Sequence, residues 1–305
     1  MADELADQVW DLIPEWARCM VVKALIVCGA DLTDWFSCGH LEECYKTFDV
    51  GSYVLLNQLG AGAFGKVFKA RHKDTGEHLA AKCLSKDFLA SLKNGQEVLR
   101  AELDAWEIPP HEHVITVHDI VDSASDLLVM TTYASLGDAL VFAKRYPDSR
   151  LPPRAVLKMV KEAALGLAHI HGHNFIHRDI KPDNILVHAS GIAMIGDMGS
   201  CARFERDDCL EGWPGTINYG PPEVLAKMAY KAPSPDMWSL GVSMYQLATG
   251  RLPFQSKRAL REASYSVDDV PADAVCLLGC LINVDPAKRL SAAKCAAVCS
   301  NLENA

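Results

Sequence analysis

The chain has 305 residues, and its 39 acidic against 30 basic side chains give a formal net charge of −9 with no long Lys/Arg run, which argues against nucleic-acid binding. Half of the residues are hydrophobic and 23% are charged, a composition typical of a globular protein with a substantial core. Eleven scattered cysteines without a disulfide-framework spacing favour reduced thiols and an intracellular location, cytoplasmic and/or nuclear.

Residues 1–50 begin with an acidic tetrapeptide that lacks the layout of a secretory signal. Their most apolar stretch, Cys19–Ala30, is interrupted by Lys23 and is too short to cross a bilayer, so we expect no membrane partner. Tryptophans and aliphatic residues in this segment have the spacing of one or two short helices. We expect an N-terminal extension that either binds a regulatory partner or packs as a helix on the domain that follows.

A domain of about residues 51–300 follows, and its first part alternates short strand-like runs with one helix. The predicted strands are Tyr53–Leu56, Gly65–Ala70, His78–Lys82 and two runs near Val114–Val117 and Leu127–Thr131. Turn residues at 74–76 separate the second and third strands, and a helix is expected over Gln96–Trp106. After Asp138 the chain is mostly helical, with segments near Arg154–His171, Met237–Thr249 and Asp273–Asn283. We therefore expect an α+β protein with a small lobe at 51–134, a helical lobe at 135–300 and a cleft between them.

A glycine-rich loop lies between the first two predicted strands, at Gly60-Ala-Gly62-Ala-Phe64-Gly65-Lys-Val67. A dinucleotide-binding loop with this glycine spacing would lead into a helix. A loop between two strands instead forms a flap whose backbone N–H groups can approach phosphates closely, because glycine has no Cβ.

Lys82 ends the third strand, where its ammonium group could reach phosphates if a carboxylate held its flexible stem. Two acids on the following helix, Glu97 and Glu102, are candidates. Glu102 is preferred because it lies nine residues before His111, which opens the next strand, whereas Glu97 is read as part of a solvated helix face.

The segment His177-Arg178-Asp179-Ile-Lys181-Pro-Asp-Asn184 resembles the catalytic loop of the eukaryotic protein kinases in order and spacing. The resemblance implies a bilobal protein-kinase fold with ATP bound in the cleft. It also implies that Asp179 accepts the proton of a substrate hydroxyl, that Asn184 binds Mg²⁺ and that Lys181 neutralises charge on the transferred phosphoryl group. A Lys at this position is similar to the Ser/Thr branch.

Downstream, Asp197-Met198-Gly199 occupies the place of the family's Asp-Phe-Gly, so Asp197 is expected to be the second metal ligand, for Mg²⁺ or alternatively Mn²⁺. Met198 departs from the usual Phe and changes the apolar side chain beneath the metal site. The resemblance further implies nucleotide contacts from the glycine-rich loop, the strand of Lys82, the hinge and the pocket floor. These residues are Leu59, Gly60, Gly62, Phe64, Gly65, Val67, Ala80, Lys82, Thr131, Thr132, Ala134, Asp138 and Leu186.

Three later segments resemble scaffold motifs of the same family. Gly215–Glu223 is similar to the end of an activation segment, and Asp236–Val242 to the buried helix that braces the catalytic loop. Arg289 stands where the family places the partner of Glu223. Six ordered matches from Gly60 to Arg289, about three quarters of the chain, make chance resemblance untenable.

Arg178 precedes the catalytic Asp and is expected to contribute to a basic pocket that an anion of the activation segment neutralises. Thr216 is read as part of the substrate-binding floor, as in the Ser/Thr branch. The middle of the segment is acidic, so our hypothesis is that Glu211 or Asp208 replaces an activating phosphate. The alternative is an exposed acidic loop.

We therefore predict a protein kinase that phosphorylates Ser/Thr hydroxyls of protein substrates. One alternative is a pseudokinase or scaffold that keeps the fold without phosphotransfer, although Lys82, Asp179, Asn184 and Asp197 are all present. Another is a small-molecule phosphotransferase of similar fold, which the paired Glu223 and Arg289 disfavour.

Overall fold

The computed structural model describes residues 48–62, 65–91, 95–105, 107–205 and 208–303. Most of the predicted N-terminal extension therefore lies outside the described residues. The chain divides into two compact units: the first contains the described residues up to 84 together with 120–130, and the second contains 85–119 and 131 onward.

A six-stranded sheet in the order β1-β2-β3-β4-β6-β5 forms the first unit. Its strands are β1 Phe48–Val50, β2 Tyr53–Gly62, β3 Gly65–His72, β4 His78–Ser85, β5 Val117–Asp122 and β6 Asp126–Thr132. The strands β1 to β4 pair with one another in antiparallel fashion. Alternate residues of β2, such as Tyr53 and Leu55, are buried together with Ala70, Ala81 and other residues of the neighbouring strands.

Gly65 is required by the contact between two strands. A Cβ at this position would lie 2.0 Å from the backbone oxygen of Cys83 on β4. At Gly60 a Cβ would meet nothing within 4 Å. The glycine spacing therefore has a packing explanation at Gly65, whereas at Gly60 packing imposes no such requirement.

The second unit is mostly helical. Its helices are α1 Lys86–Ser91, α2 Gly95–Ala105, α3 Ala139–Ala143, α4 Pro153–Gly172, α5 Pro222–Leu225, α6 Ser234–Thr249, α7 Lys257–Arg261, α8 Ala272–Leu281 and α9 Ala292–Glu303. Short strand pairs join them: β7 Phe175–Ile176 with β10 Ala202–Arg203, β8 Ile185–Val187 with β9 Ala193–Ile195, and β11 Cys209–Leu210 with β12 Tyr230–Lys231.

The core of the second unit is built around α4 and α6. The helix α4 starts at Pro153, whose fixed φ suits a first helical position, and α6 ends where Gly250 adopts φ 75°. Nearly every side chain of α6 is buried, and Trp238 and Leu240 are fully enclosed. No helix within the described residues is both long and apolar enough to cross a membrane.

These findings confirm the predicted α+β fold of the protein-kinase type, with a small antiparallel sheet and a larger helical unit. Two strand boundaries differ from the prediction. The sheet begins at Phe48, which pairs with Leu55, before the first predicted strand at Tyr53. The strand expected from Val114 begins only at Val117, because Val114 instead forms a bridge to Ile195 of β9.

Helix α2, predicted within the small lobe, is grouped with the second unit, in which it packs against the turn Met198–Ser200. Residues 131–134, predicted as the end of the small lobe, also fall in the second unit.

Candidate active site

The catalytic loop, residues 177–181, is positioned by a buried carboxylate on a distant helix. It follows β7 and leads through the turn Pro182–Asn184 into β8. Asp236, in the first turn of α6, accepts hydrogen bonds from the backbone N–H groups of His177 and Arg178, each at 2.8 Å. Arg178 has φ 65°, a conformation that L residues rarely adopt, so these bonds hold a strained backbone in place.

Asp236 is fully buried, yet its surroundings favour the ionised carboxylate. Burial alone would raise its pKa, but the hydrogen bond from the His171 ring at 2.9 Å, the nearby His177 and the backbone N–H bond together lower the pKa below its ordinary value. His171, in the last turn of α4, therefore helps to keep this carboxylate charged. The sequence offered no local signal for His171, which is 65 residues from Asp236.

The carboxylate of Asp179 lies at the centre of a compact polar cluster. Its Oδ1 accepts the backbone N–H of Thr216 at 2.7 Å. Its Oδ2 accepts the ammonium of Lys181 at 2.7 Å and the side-chain amide of Asn184 at 3.1 Å. Lys181 also donates to the Thr216 hydroxyl at 2.8 Å. Lys181 and Asn184, predicted from the same motif as Asp179, and the separately predicted Thr216 thus all contact Asp179.

The β8–β9 hairpin brings Asn184 and Asp197 to the same end of two paired strands. Asn184 immediately precedes β8, Asp197 lies two residues after β9, and Ile185 is paired with Ile195. The N–H of Gly196 donates to the backbone oxygen of Asn184 at 2.9 Å, which closes this end. Asp197 adopts φ 55° and is exposed, so its carboxylate is accessible.

The predicted nucleotide residues of the first unit lie on β2, β3 and β4. Val67 is paired with Gly60 on one side and with Lys82 on the other. Ala80 lies on β4, two residues before Lys82, and Leu59 and Gly62 lie on β2. Phe64 lies outside the described residues.

The predicted hinge and pocket-floor residues of the second unit are placed by backbone contacts. Thr131 and Thr132 end β6, and the N–H of Thr132 donates to the backbone oxygen of Thr116 at 3.0 Å. Ala134 follows two residues later. Asp138 forms an isolated bridge with Leu186 and caps α3 by accepting the N–H of Val141 at 2.8 Å.

Glu102 lies on α2, but its side chain is outside what the structure describes. Its pairing with Lys82 therefore stays a prediction.

The guanidinium group of Arg178 has backbone partners. It donates to the carbonyl oxygens of Ser200 at 2.7 Å and Cys201 at 3.2 Å. Asp208 is exposed and accepts the backbone N–H of Glu205 at 2.8 Å, and Glu211 is exposed. The role of Glu211 or Asp208 as a phosphate substitute stays a hypothesis.

Glu223 and Arg289 form a two-pronged ion pair. Their N–O distances are 2.7 and 2.9 Å, and the Arg289 side chain is fully buried while that of Glu223 is 12% exposed. Arg289 also donates to the backbone oxygen of Asn283 and lies 5.1 Å from the centre of the Trp238 ring. The pair links the end of the activation segment to the segment before α9.

Comparisons with known proteins agree with this geometry. The family model described as "Protein kinase domain" matches residues 53–298. The chain is 31% identical to NUAK family SNF1-like kinase 2 of Rattus norvegicus over 245 residues, which are 78% of this chain and 38% of the relative. It is 33% identical to CBL-interacting protein kinase 16 of Oryza sativa subsp. japonica over 260 residues, 82% of this chain and 56% of the relative. The matched region thus spans little more than half of these relatives at most, and this chain belongs to the Ser/Thr branch of the eukaryotic-type protein kinases.

Proposed function

We propose that this chain is an active protein serine/threonine kinase that transfers the γ-phosphoryl group of ATP to hydroxyl groups of protein substrates. The observation that carries the proposal is the position of Lys181, whose ammonium bridges Asp179 Oδ2 at 2.7 Å and Thr216 Oγ1 at 2.8 Å. The proposed general base Asp179 and the hydroxyl of Thr216 thus lie within hydrogen-bonding distance of the same ammonium group, that of Lys181.

In the proposed reaction, Asp179 receives the proton of the substrate hydroxyl as the hydroxyl oxygen bonds to the γ-phosphorus. The bond between the γ-phosphorus and the oxygen that it shares with the β-phosphate breaks, and ADP leaves with that oxygen. Thr216 and Asn184 hold the carboxylate in a single orientation through its two oxygens. Lys181 offsets negative charge beside the transferred group. The side chains of Asp179 and Lys181 are only 11% and 21% exposed, so water screens this charge poorly.

Asn184 and Asp197 have the chemistry to hold Mg²⁺, or Mn²⁺ in its place. The side-chain amide nitrogen of Asn184 donates to both the backbone and the side chain of Asp179, which leaves its amide oxygen Oδ1 as the group that can bind a metal. A carboxylate and an amide oxygen are hard ligands suited to this ion, which when bound neutralises phosphate charge.

For nucleotide binding we propose the backbone of the glycine-rich hairpin, Val67 and Lys82 in the first unit. The pairing of Val67 with Lys82 on adjacent strands supports this role, because it places the two at neighbouring positions. In the second unit we propose the hinge at 131–134 together with Asp138 and Leu186. Glu102 is proposed as the acid that orients Lys82.

The experiment that tests this function is phosphate transfer from labelled ATP to an arrayed Ser, Thr and Tyr peptide library. Asp179→Asn should lower kcat by about 10²–10⁴-fold, because general-base catalysis typically contributes that factor. The matched control is Asp268→Asn, an exposed carboxylate that accepts a hydrogen bond from Ser266.

Transfer to Ser and Thr peptides that is lost in Asp179→Asn and kept in Asp268→Asn would support the proposal. ATP binding without transfer would instead support the pseudokinase or scaffold. Transfer confined to small molecules would favour a small-molecule phosphotransferase. Transfer confined to Tyr peptides would contradict the proposed specificity for Ser and Thr hydroxyls.

A further inference from the structure

The segment that carries Thr216 is fastened to the helical unit near Tyr230. Strand β11 of the segment pairs with β12, so that Leu210 lies opposite Tyr230. The Tyr230 hydroxyl donates to the backbone oxygen of Gly212 at 2.9 Å, and its ring meets that of Trp213 edge-on at 5.9 Å. Tyr230 thus holds three consecutive parts of one segment through backbone pairing, a hydrogen bond and ring packing.

From Trp213 the chain passes directly against the catalytic loop. A Cβ on Gly215 would lie 3.0 Å from the indole nitrogen of Trp213 and 2.0 Å from the backbone oxygen of Arg178. The indole nitrogen is itself buried without a hydrogen-bond partner among the described residues. Trp213 therefore contributes here by van der Waals packing. The next residue, Thr216, donates its backbone N–H to Asp179. Gly215 fits tightly between the Trp213 ring and the catalytic loop. Its placement therefore sets the position of the neighbouring Thr216 N–H.

The charge of Arg178 acts on the same tyrosine. Burial raises the pKa of Tyr230, and the charge of Arg178 and a hydrogen bond with it partly offset that effect. The guanidinium of Arg178 donates to the backbone oxygens of Ser200 and Cys201, and its backbone N–H donates to the carboxylate of Asp236. Among the described residues, uncharged backbone oxygens therefore occupy the guanidinium that was expected to bind an activating anion.

We propose that Tyr230 is a positioning residue for phosphoryl transfer, which with Trp213 holds Gly212–Thr216 so that the Thr216 N–H reaches Asp179 without phosphorylation of the activation segment. The inference rests on the proposed function. It also differs from the hypothesis that Asp208 or Glu211 replaces an activating phosphate. Here a neutral hydroxyl and an aromatic contact anchor the segment instead.

The test compares wild type with Tyr230→Phe, which removes one oxygen atom and keeps the ring. Tyr146→Phe is the matched control, because Tyr146 has a similar edge-on ring contact, with Phe142, far along the chain from the segment. A second variant, Trp213→Phe, changes the packing without removing a hydrogen bond. All proteins are treated with a phosphatase, and kcat and KM for a peptide substrate are measured together with amide hydrogen exchange across residues 209–220.

In Tyr230→Phe we expect kcat/KM to fall about five- to tenfold, as for the loss of one hydrogen bond, and the Thr216 amide to exchange faster by a similar factor. Trp213→Phe should accelerate the same amide, whereas Tyr146→Phe should change neither quantity. Phosphatase treatment should leave wild-type activity unchanged, and an Asp208→Ala/Glu211→Ala double variant should keep full activity.

An unchanged Thr216 amide in both Tyr230→Phe and Trp213→Phe would overturn the inference. Loss of wild-type activity on phosphatase treatment, or loss in the acidic double variant alone, would also overturn it. If wild type transferred no phosphoryl group, the proposed function would fail, but amide exchange would still decide whether Tyr230 holds the segment.

Discussion

Replacing Arg289 by Met should destabilise the protein strongly, because it leaves the carboxylate of Glu223 without its partner. Arg289 donates two hydrogen bonds to the carboxylate of Glu223, at 2.7 and 2.9 Å, and its side chain is fully buried. Methionine fills much of the same space and does not leave a large void. The expected loss therefore comes mainly from the unpaired carboxylate, together with the lost hydrogen bond to the backbone oxygen of Asn283.

The magnitude follows from the burial of both groups. Breaking a buried ion pair by removing one partner typically costs about 3–5 kcal/mol, and the 12% exposure of Glu223 favours the lower end. A loss of about 3 kcal/mol corresponds to a decrease in Tm of roughly 6–12 °C for a domain of this size. The double variant Glu223→Leu/Arg289→Met should recover part of the loss, since no unpaired charge remains.

Urea unfolding followed by circular dichroism measures these differences. The control is Arg258→Ala, which breaks an exposed pair with Glu262 on α7 and should leave stability nearly unchanged. The reasoning is refuted if Arg289→Met costs no more than Arg258→Ala, or if the double variant is less stable than Arg289→Met alone.

Three further predictions concern separate parts of the helical unit. Gly279→Ala should raise the free energy of unfolding by about 0.5–1 kcal/mol in urea titrations, because this exposed helical position has nothing within 4 Å of a new Cβ. Gly215→Ala should lower kcat/KM by about 10–100-fold in peptide assays, since the new Cβ would displace the backbone of Arg178. The lowered pKa of Asp236 stabilises the fold above the unfolded value of 3.8, and this stabilisation is lost as the pH falls through the folded pKa. In acid titrations Asp236→Asn should therefore lose less stability than wild type as the pH falls below 3.8.

Local sequence patterns were sufficient to predict the sheet, the long helices and the catalytic loop. Strand alternation around Tyr53 and the helical spacing from Arg154 depend on neighbouring residues, and the structure agrees with both. The residues from His177 to Asn184 form a continuous motif, and its resemblance to the kinase catalytic loop implies its chemistry. Where the information is local, reading the sequence succeeds.

Long-range partners could not be predicted in this way. Val114 looks like part of a strand, but the backbone of β9, about eighty residues away, competes for it. Arg178 looks like an anion-binding side chain, yet its guanidinium donates to the backbone carbonyl oxygens of Ser200 and Cys201. Charge alone does not indicate which acceptor a long side chain will reach once the chain is folded.

Asp236 couples the opening of the catalytic loop to the separation of α4 and α6. Loops usually open locally at a small cost in free energy, well before the helices around them. Here one carboxylate joins the end of α4, through His171, to two successive loop amides and to the start of α6. The amides of His177 and Arg178 should therefore exchange with solvent only when these helices separate, with protection factors close to those of the core.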